Sequence, residues 1–397
     1  MSEVPTSVAA SDTGIIAVGL HDAKTVALVS PSGDTREVDI ACSTQDVAID
    51  PAGTTAWAVC QDSTQLIVID VATGTPSAVD MGAEEPNSVA YLPTRDELVV
   101  AALSGSVLVV GQVSSGRYAL VRRIATPGQR PSGLAPLPDG SATYVVTDQY
   151  SLLRVDLLKG AVTQLTAQGA DVFITSAAVA PTGTALYAAG YLRLSADSGQ
   201  SLLMSLDMRT GRILQRQDID YSMPGFSTIR LASCYRTLYV ATGLRLDVQG
   251  QETGIFGVAL DSRGRMGERW TIADNLNTGA DVSLSADLGR LAVAENSANV
   301  LGFITNSQPY PTLTVTGSLA KGRLALTGSA MGLPSGTTVT VYVKDLTKRK
   351  SRFVAQSTTA STDAAGAFRW AGRSPSTRVS VYASGGGVVS PTITLGR

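Results

Sequence analysis

One histidine, His21, stands among 397 residues, and it sets the first limit on chemistry. Proton transfer near neutral pH calls for an imidazole-like pKa, held beside a carboxylate or an arginine. His21 sits alone at the edge of the first apolar hairpin and reads as a surface-loop residue. Paired carboxylates can replace histidine, and Glu84 with Glu85 is the adjacent pair in this chain. Neighbours on an extended stretch point apart, so that pair reads as a solvated loop. The sequence contains no Gly-x-Ser-x-Gly elbow, Walker loop, dinucleotide fingerprint or His-Glu-x-x-His pair. We therefore assign no catalytic residue.

Binding chemistry has more material. Loop residues such as Asp22, Asp62, Glu84, Asn87, Asp148 and Glu295 could ring Ca²⁺, which takes six to eight oxygen ligands. Polar loops are also the ordinary surface of a soluble protein, and neither a metal nor a cofactor is assigned. Two segments, YLRLSADSGQSLLMSLD and GLRLDVQGQETGIFGVALD, share a Leu-Arg-Leu step and a lengthened connection. As adjacent hairpins they would raise a lip presenting Arg193, Asp197, Gln200, Arg245, Asp247, Gln251 and Glu252, and such loops on a rigid scaffold carry binding specificity. The alternative is two tolerated insertions. Further on, Lys344, Lys348, Arg349, Lys350 and Arg352 concentrate positive charge between two apolar runs. That run is either a solvated hairpin, an anion-binding surface for wall polymer, acidic polysaccharide or lipid headgroups, or a dock for the chain's own acidic portion. With no interleaved aromatic platform, nucleic acid is not expected as a partner.

The elements that would position these residues repeat about seven times between residues 4 and 305: an apolar strand, a turn, two more apolar strands and a weaker fourth. Four short strands per unit of this length are the pattern of a β-propeller blade. The units fall near 4–40, 44–80, 86–124, 131–166, 173–219, 226–274 and 280–305. Leu66 and Val68 alternate with Ile67 and Ile69, both faces apolar, as a sheet packed between two neighbours requires. Turns such as Pro51-Ala52-Gly53, Pro138-Asp139-Gly140 and Pro181-Thr182-Gly183 recur between first and second strands. The last unit shows no fourth strand, so cover for the seam is expected from a segment upstream of Met1 or from the following domain. After the proline pair of 306–311, about seven short alternating strands fit a small sandwich.

Strands ending in Tyr144-Val145-Val146-Thr147-Asp148 and Leu238-Tyr239-Val240-Ala241-Thr242, with the VIDVATG run at Val68 to Gly74, resemble the YVTN-type seven-bladed propellers. The tail, with GLPSGTTVTVYVKDL and DAAGAFRW, is similar to the bacterial immunoglobulin-like domains that follow such propellers in secreted actinobacterial proteins. The resemblance implies an all-β protein: a seven-bladed β-propeller at 1–305, a linker at 306–311 and an immunoglobulin-like β-sandwich at 312–397.

Composition agrees with a well-packed chain, 44% hydrophobic and 16% charged. Net charge is −2, but eleven basic and two acidic residues from Tyr310 onward make the tail about +9 and leave about −11 before it. The three cysteines are too few for a disulfide framework, yet Cys42 and Cys60 fall at the same open end of one hairpin, within reach of a bridge. Two buried thiols are the alternative. No apolar stretch is long enough to span a bilayer, and residues 1 to 10 show no signal peptide. The Met before the first unit fits a cytoplasmic start or a chain trimmed of its export signal. The expectation is a non-enzymatic binding or scaffold protein, extracellular or at the cell surface, recognising a protein or glycan on its loop face and an anionic surface through its tail. The alternative is a propeller enzyme, a lactonase-like hydrolase or lyase with an axial active site.

Overall fold

The computed structural model describes residues 5–396 except 12, 61, 83, 115–116, 166–171, 181–182, 195–198, 223–228, 235–236, 243–253, 262–263, 275–278, 285–289, 296–299, 306–311, 332–334, 349–350, 364–365, 386–387 and 391. Every regular element among them is a β-strand, and none is a helix long and apolar enough to cross a membrane. The chain divides into two compact units, Met1–Ala259 with Arg265–Ser307, and Leu260–Gly264 with Gln308–Arg397.

The first unit is a series of antiparallel sheets, each built in chain order. They are β1 (Pro5–Ala10), β2 (Ile16–Leu20), β3 (Thr25–Val29), β4 (Thr35–Asp39); β5 (Thr44–Ile49), β6 (Thr55–Cys60), β7 (Gln65–Asp70), β8 (Thr75–Asp80); and β9 (Pro86–Leu92), β10 (Glu97–Ala102), β11 (Ser106–Ser114), β12 (Arg117–Ala125). Next come β13 (Pro131–Pro136), β14 (Ala142–Thr147), β15 (Leu152–Asp156), β16 (Val162–Leu165); β17 (Val172–Val179), β18 (Leu186–Arg193), β19 (Gly199–Leu206), β20 (Ile213–Ser222); and β21 (Ile229–Cys234), β22 (Thr237–Thr242), β23 (Gly254–Leu260), β24 (Met266–Asp274). The last, β25 (Gly279–Leu284), β26 (Arg290–Glu295) and β27 (Val300–Thr305), has three strands among the described residues. First strands neighbour one another in the order β1, β5, β9, β13, β17, β21, β25, and β25 lies against β1 again, a propeller-like ring.

The period-two pattern explains the stacking. Along β7, Ile67 and Ile69 join the core shared with Ala17, Val26 and Leu28 of the sheet before, while Leu66 and Val68 join Val89, Leu98 and Val100 of the sheet after. The second sheet therefore buries both faces, and a fully buried Leu, Ile or Val contributes about 1.5–3 kcal/mol. Turns between first and second strands close at Gly53, Gly140 and Gly183, whose N–H groups donate to Asp50, Leu137 and Ala180 carbonyls. Third and fourth strands are joined by Asp-x-x-(Thr/Lys)-Gly. There Asp70, Asp156 and Asp207 accept the backbone N–H of Thr73, Lys159 and Thr210 at 2.7, 2.8 and 2.7 Å, and Gly74, Gly160 and Gly211 take φ of 71°, 74° and 74°, open to glycine at little cost. These hydrogen bonds, with the Thr73 and Thr210 hydroxyls, hold the three carboxyls below their ordinary range.

Cys42 and Cys60 are bridged, 5.8 Å apart between Cα atoms, so the first of the two readings open in the sequence holds.

The second unit has two facing sheets. One is β28 (Thr312–Ala320), β29 (Arg323–Met331) and β32 (Ala367–Arg373); the other is β31 (Val354–Ser361), β30 (Thr338–Asp345), β33 (Arg378–Gly385) and β34 (Val388–Val389), with β35 (Ile393–Gly396) also on β33. Leu313, Leu324, Leu326, Phe368 and Trp370 from the first sheet meet Val339, Val341, Val343, Val379 and Val381 from the second in one core.

Candidate functional site

The innermost strands carry a repeated irregularity. The pairing slips by one residue at Thr6 in β1, Gln45 in β5, Asn87 in β9, Ser132 in β13, Thr175 in β17 and Ala280 in β25. A bulge leaves its extra residue unpaired and disrupts the ladder locally. Here the bulged hydroxyl fills the gap: Thr6, Ser132 and Thr175 donate to the carbonyls of Gly19, Val146 and Ala189. Asn87 is longer and reaches elsewhere, its Nδ2 donating to Ser132 O at 2.8 Å. Thr6, Gln45, Asn87, Ser132 and Thr175 line a polar cavity of about 170 Å³ between the first five innermost strands. Asn87, read from sequence as a loop residue, belongs to this lining.

Asp46 anchors one wall. It accepts Ser7 Oγ at 2.6 Å from the sheet before, Ser88 Oγ at 2.7 Å and Val89 N at 2.9 Å from the sheet after, and Val47 N at 2.9 Å. Its oxygens are thus engaged in joining three sheets.

His21 lies outside the cavity lining, on the β2–β3 turn, where Nδ1 meets Asp22 Oδ1 at 2.9 Å. On the connections of the same face, Asp62 accepts Ser43 N at 2.8 Å, the main cause of its lowered pKa, and pairs with Lys24. Arg130 joins Leu103 O to Asp148. Glu84 corrects the sequence reading. It is 5% exposed rather than solvated, paired with Arg123 Nε at 2.8 Å and accepting Ser104 Oγ, while Glu85 is exposed. Alternation does send the two apart, but the inner one meets a cation and two serines.

An aromatic group assembles from residues far apart in the sequence, with no signal in linear spacing. Tyr150 on the β14–β15 turn, Phe173 at the start of β17 and Tyr191 near the end of β18 gather between the fourth and fifth sheets, all half-exposed. Phe173 and Tyr191 stack at 4.7 Å and 4°, and Tyr150 meets them edge-on at 5.8 and 6.2 Å. Gly190 makes the approach possible, because a Cβ there would run into the Phe173 carbonyl. Tyr150 has φ 60°, a left-handed conformation that bulky residues avoid. Its carbonyl accepts Ile174 N at 2.9 Å, which pins the turn over Phe173. Partial burial raises the pKa of both tyrosines.

The expected lip is described in part. β18 and β19 pair out to Arg193↔Gly199, and Arg193 is exposed. Leu192 pairs with Gln200, so Gln200 shares Leu192's side of the ribbon and Arg193 shares Tyr191's. Arg193 and Gln200 therefore do not converge. Asp197, Arg245, Asp247, Gln251 and Glu252 lie outside the described residues.

In the second unit, Lys344 sits on β30 itself, half-buried, rather than in the loop. Lys348 and Arg352 are exposed between β30 and β31, and Arg349 and Lys350 lie outside the described residues. The turn is fixed by Asp345, which accepts Thr347 Oγ1 at 2.6 Å and Thr347 N at 2.9 Å and pairs with Lys348 at 3.5 Å. Those partners, the Thr347 hydroxyl first, hold its pKa at about 2. No aromatic is interleaved within the charge run, but Tyr342, Phe353 and Tyr382 cluster beside Lys344. Tyr342 and Phe353 flank the run in sequence, and β33 brings Tyr382 to them from a distant segment.

No protein-family model and no curated protein sequence matches the chain. Solved structures do. One is hydrazine synthase of Kuenenia stuttgartiensis, at TM-score 0.64 and 14% identity, covering 76% of this chain and 96% of that one. Another is a chain of a mitotic checkpoint complex, at TM-score 0.59 and 14% identity, covering 76% and 86%. Such identities carry the propeller-like fold alone, and a fold shared by 1250 solved chains carries no single chemistry.

Proposed function

We propose that this chain is a non-enzymatic binding or scaffold protein. In this reading residues 1–305 form a seven-bladed propeller of YVTN type whose loop face recognises a protein or glycan. Residues 312–397 form a basic immunoglobulin-like domain that contacts an anionic surface, outside the cell or on it. The observation that carries the reading is the Tyr150–Phe173–Tyr191 group beside exposed Arg193. Clustered aromatics and arginine are the residue types that dominate recognition surfaces, and a tyrosine kept in a left-handed turn is a local cost that folding alone does not ask for. The Cys42–Cys60 bridge supports an oxidising compartment.

An oligosaccharide and peptide array tests this. The wild-type chain should bind a discrete subset. Tyr150→Asn removes the ring and relaxes the backbone, so it should weaken that subset about tenfold, near 1.4 kcal/mol, with an equal or higher thermal midpoint. Unchanged binding would sink the reading.

A further inference from the structure

The outer face of the larger sheet in the second unit is built as a surface. β30 turns Val339, Val341 and Val343 into the core, so Thr338, Thr340, Tyr342 and Lys344 face away. β33 likewise turns Tyr382 and Ser384 away, opposite Val379, Val381 and Ala383, while Ser380 on the same side is buried against Thr394. Register sets Tyr342 against Tyr382, and the rings stack at 4.6 Å and 9°. Phe353 meets Tyr382 edge-on at 4.8 Å, and the Lys344 ammonium stands 5.8 Å from the Phe353 ring centre.

A cross-strand ring pair alone is an ordinary sheet stabiliser. Three half-exposed rings gathered where Lys344, Lys348, Arg352 and Arg378 emerge ask for more. The one described carboxylate at that end, Asp345, is buried and already held by Thr347 and Lys348, so the cations dominate the local field. The hydroxyls of Thr338 and Thr340 on β30 and of Ser384 on β33 flank the rings.

We propose that this face binds an acidic polysaccharide, a chain of pyranoses bearing carboxylates. The rings would cover sugar C–H faces, the hydroxyl rows meet sugar hydroxyls, and the lysines and arginines meet the carboxylates. This rests on the reading above and names the anionic partner of the basic domain. Single-stranded nucleic acid uses rings and cations too, but the hydroxyl rows and a disulfide in the same chain favour the polysaccharide.

The experiment measures binding of the full chain to polygalacturonate, amylose, oligo(dT) and anionic phospholipid vesicles across a salt series. Polygalacturonate should bind best, more weakly as salt rises. Tyr342→Thr with Tyr382→Thr, chosen because threonine keeps strand propensity, should weaken it about tenfold with the salt slope unchanged. Lys344→Thr with Arg352→Ser should flatten that slope. Phe353→Ser, just outside β31, repeats the ring test should the tyrosine pair fail to fold. Loss on removing charge but none on removing rings overturns this proposal and leaves the anionic-surface reading standing. Preference for oligo(dT) or vesicles overturns it in favour of those partners, and no binding to any polyanion at low salt ends both readings.

Discussion

Asp46 shows how one side chain can carry the geometry of a larger assembly. Four donors from three sheets converge on its carboxylate. Asp46→Ala removes the acceptor shared by Ser7 Oγ, Ser88 Oγ and Val89 N–H, while Val47 N–H keeps Ser7 Oγ, so the expected loss is about 2–3 kcal/mol, read as a lower denaturant midpoint at unchanged slope. Asp345 is the corresponding case in the second unit. Its pKa of about 2 lies below the free carboxylate value near 3.9, so its stabilisation is complete above that value and disappears as pH falls toward 2. Asp70, Asp156 and Asp207 shift the same way and add to the acid sensitivity. Asp345→Asn should flatten the stability of the second unit between about pH 4 and 2, with the slope followed by circular dichroism.

Strands and turns are where the sequence spoke most plainly. The limits of the sheets described in the first unit fall within three residues of the units read from the repeat. Local rules explain why: alternation is forced by two buried faces, and Asp-x-x-Thr-Gly closes on itself without outside help. What escaped detection was assembled from distant pieces. Tyr150, Phe173 and Tyr191 come from a turn and two strands, Phe353 reaches Tyr382 across a sheet, and Glu84 is drawn inward by Arg123 on an outer strand. Nothing in linear spacing marks such meetings. The disulfide lies between these cases, its hairpin legible and its oxidation state not. It closes a loop of sequence separation 18, so Cys42→Ser with Cys60→Ser should cost about 3 kcal/mol. Thiol labelling of the denatured, unreduced protein should find one reactive cysteine, Cys234.

The whole chain is two units with separate cores and opposite charge. A fragment of 308–397 should therefore fold cooperatively by itself, since its apolar residues already have partners within it; a broad, non-cooperative melt would show that the core needs the other unit. The ring has a different dependence on its ends. β1 meets β25, so residues from the first ten positions are held against residues near 280, whereas every other junction joins sheets adjacent in sequence. Adjacent sheets can dock while the chain between them is short, but this last junction closes a loop of the whole unit and carries the greatest entropic cost. Assembly should thus run sheet by sheet along the chain and finish there, and unfolding should begin there. In native-state amide exchange, β1 and β25 should open together, ahead of β6 and β10, as the hinge through which the circle is unzipped.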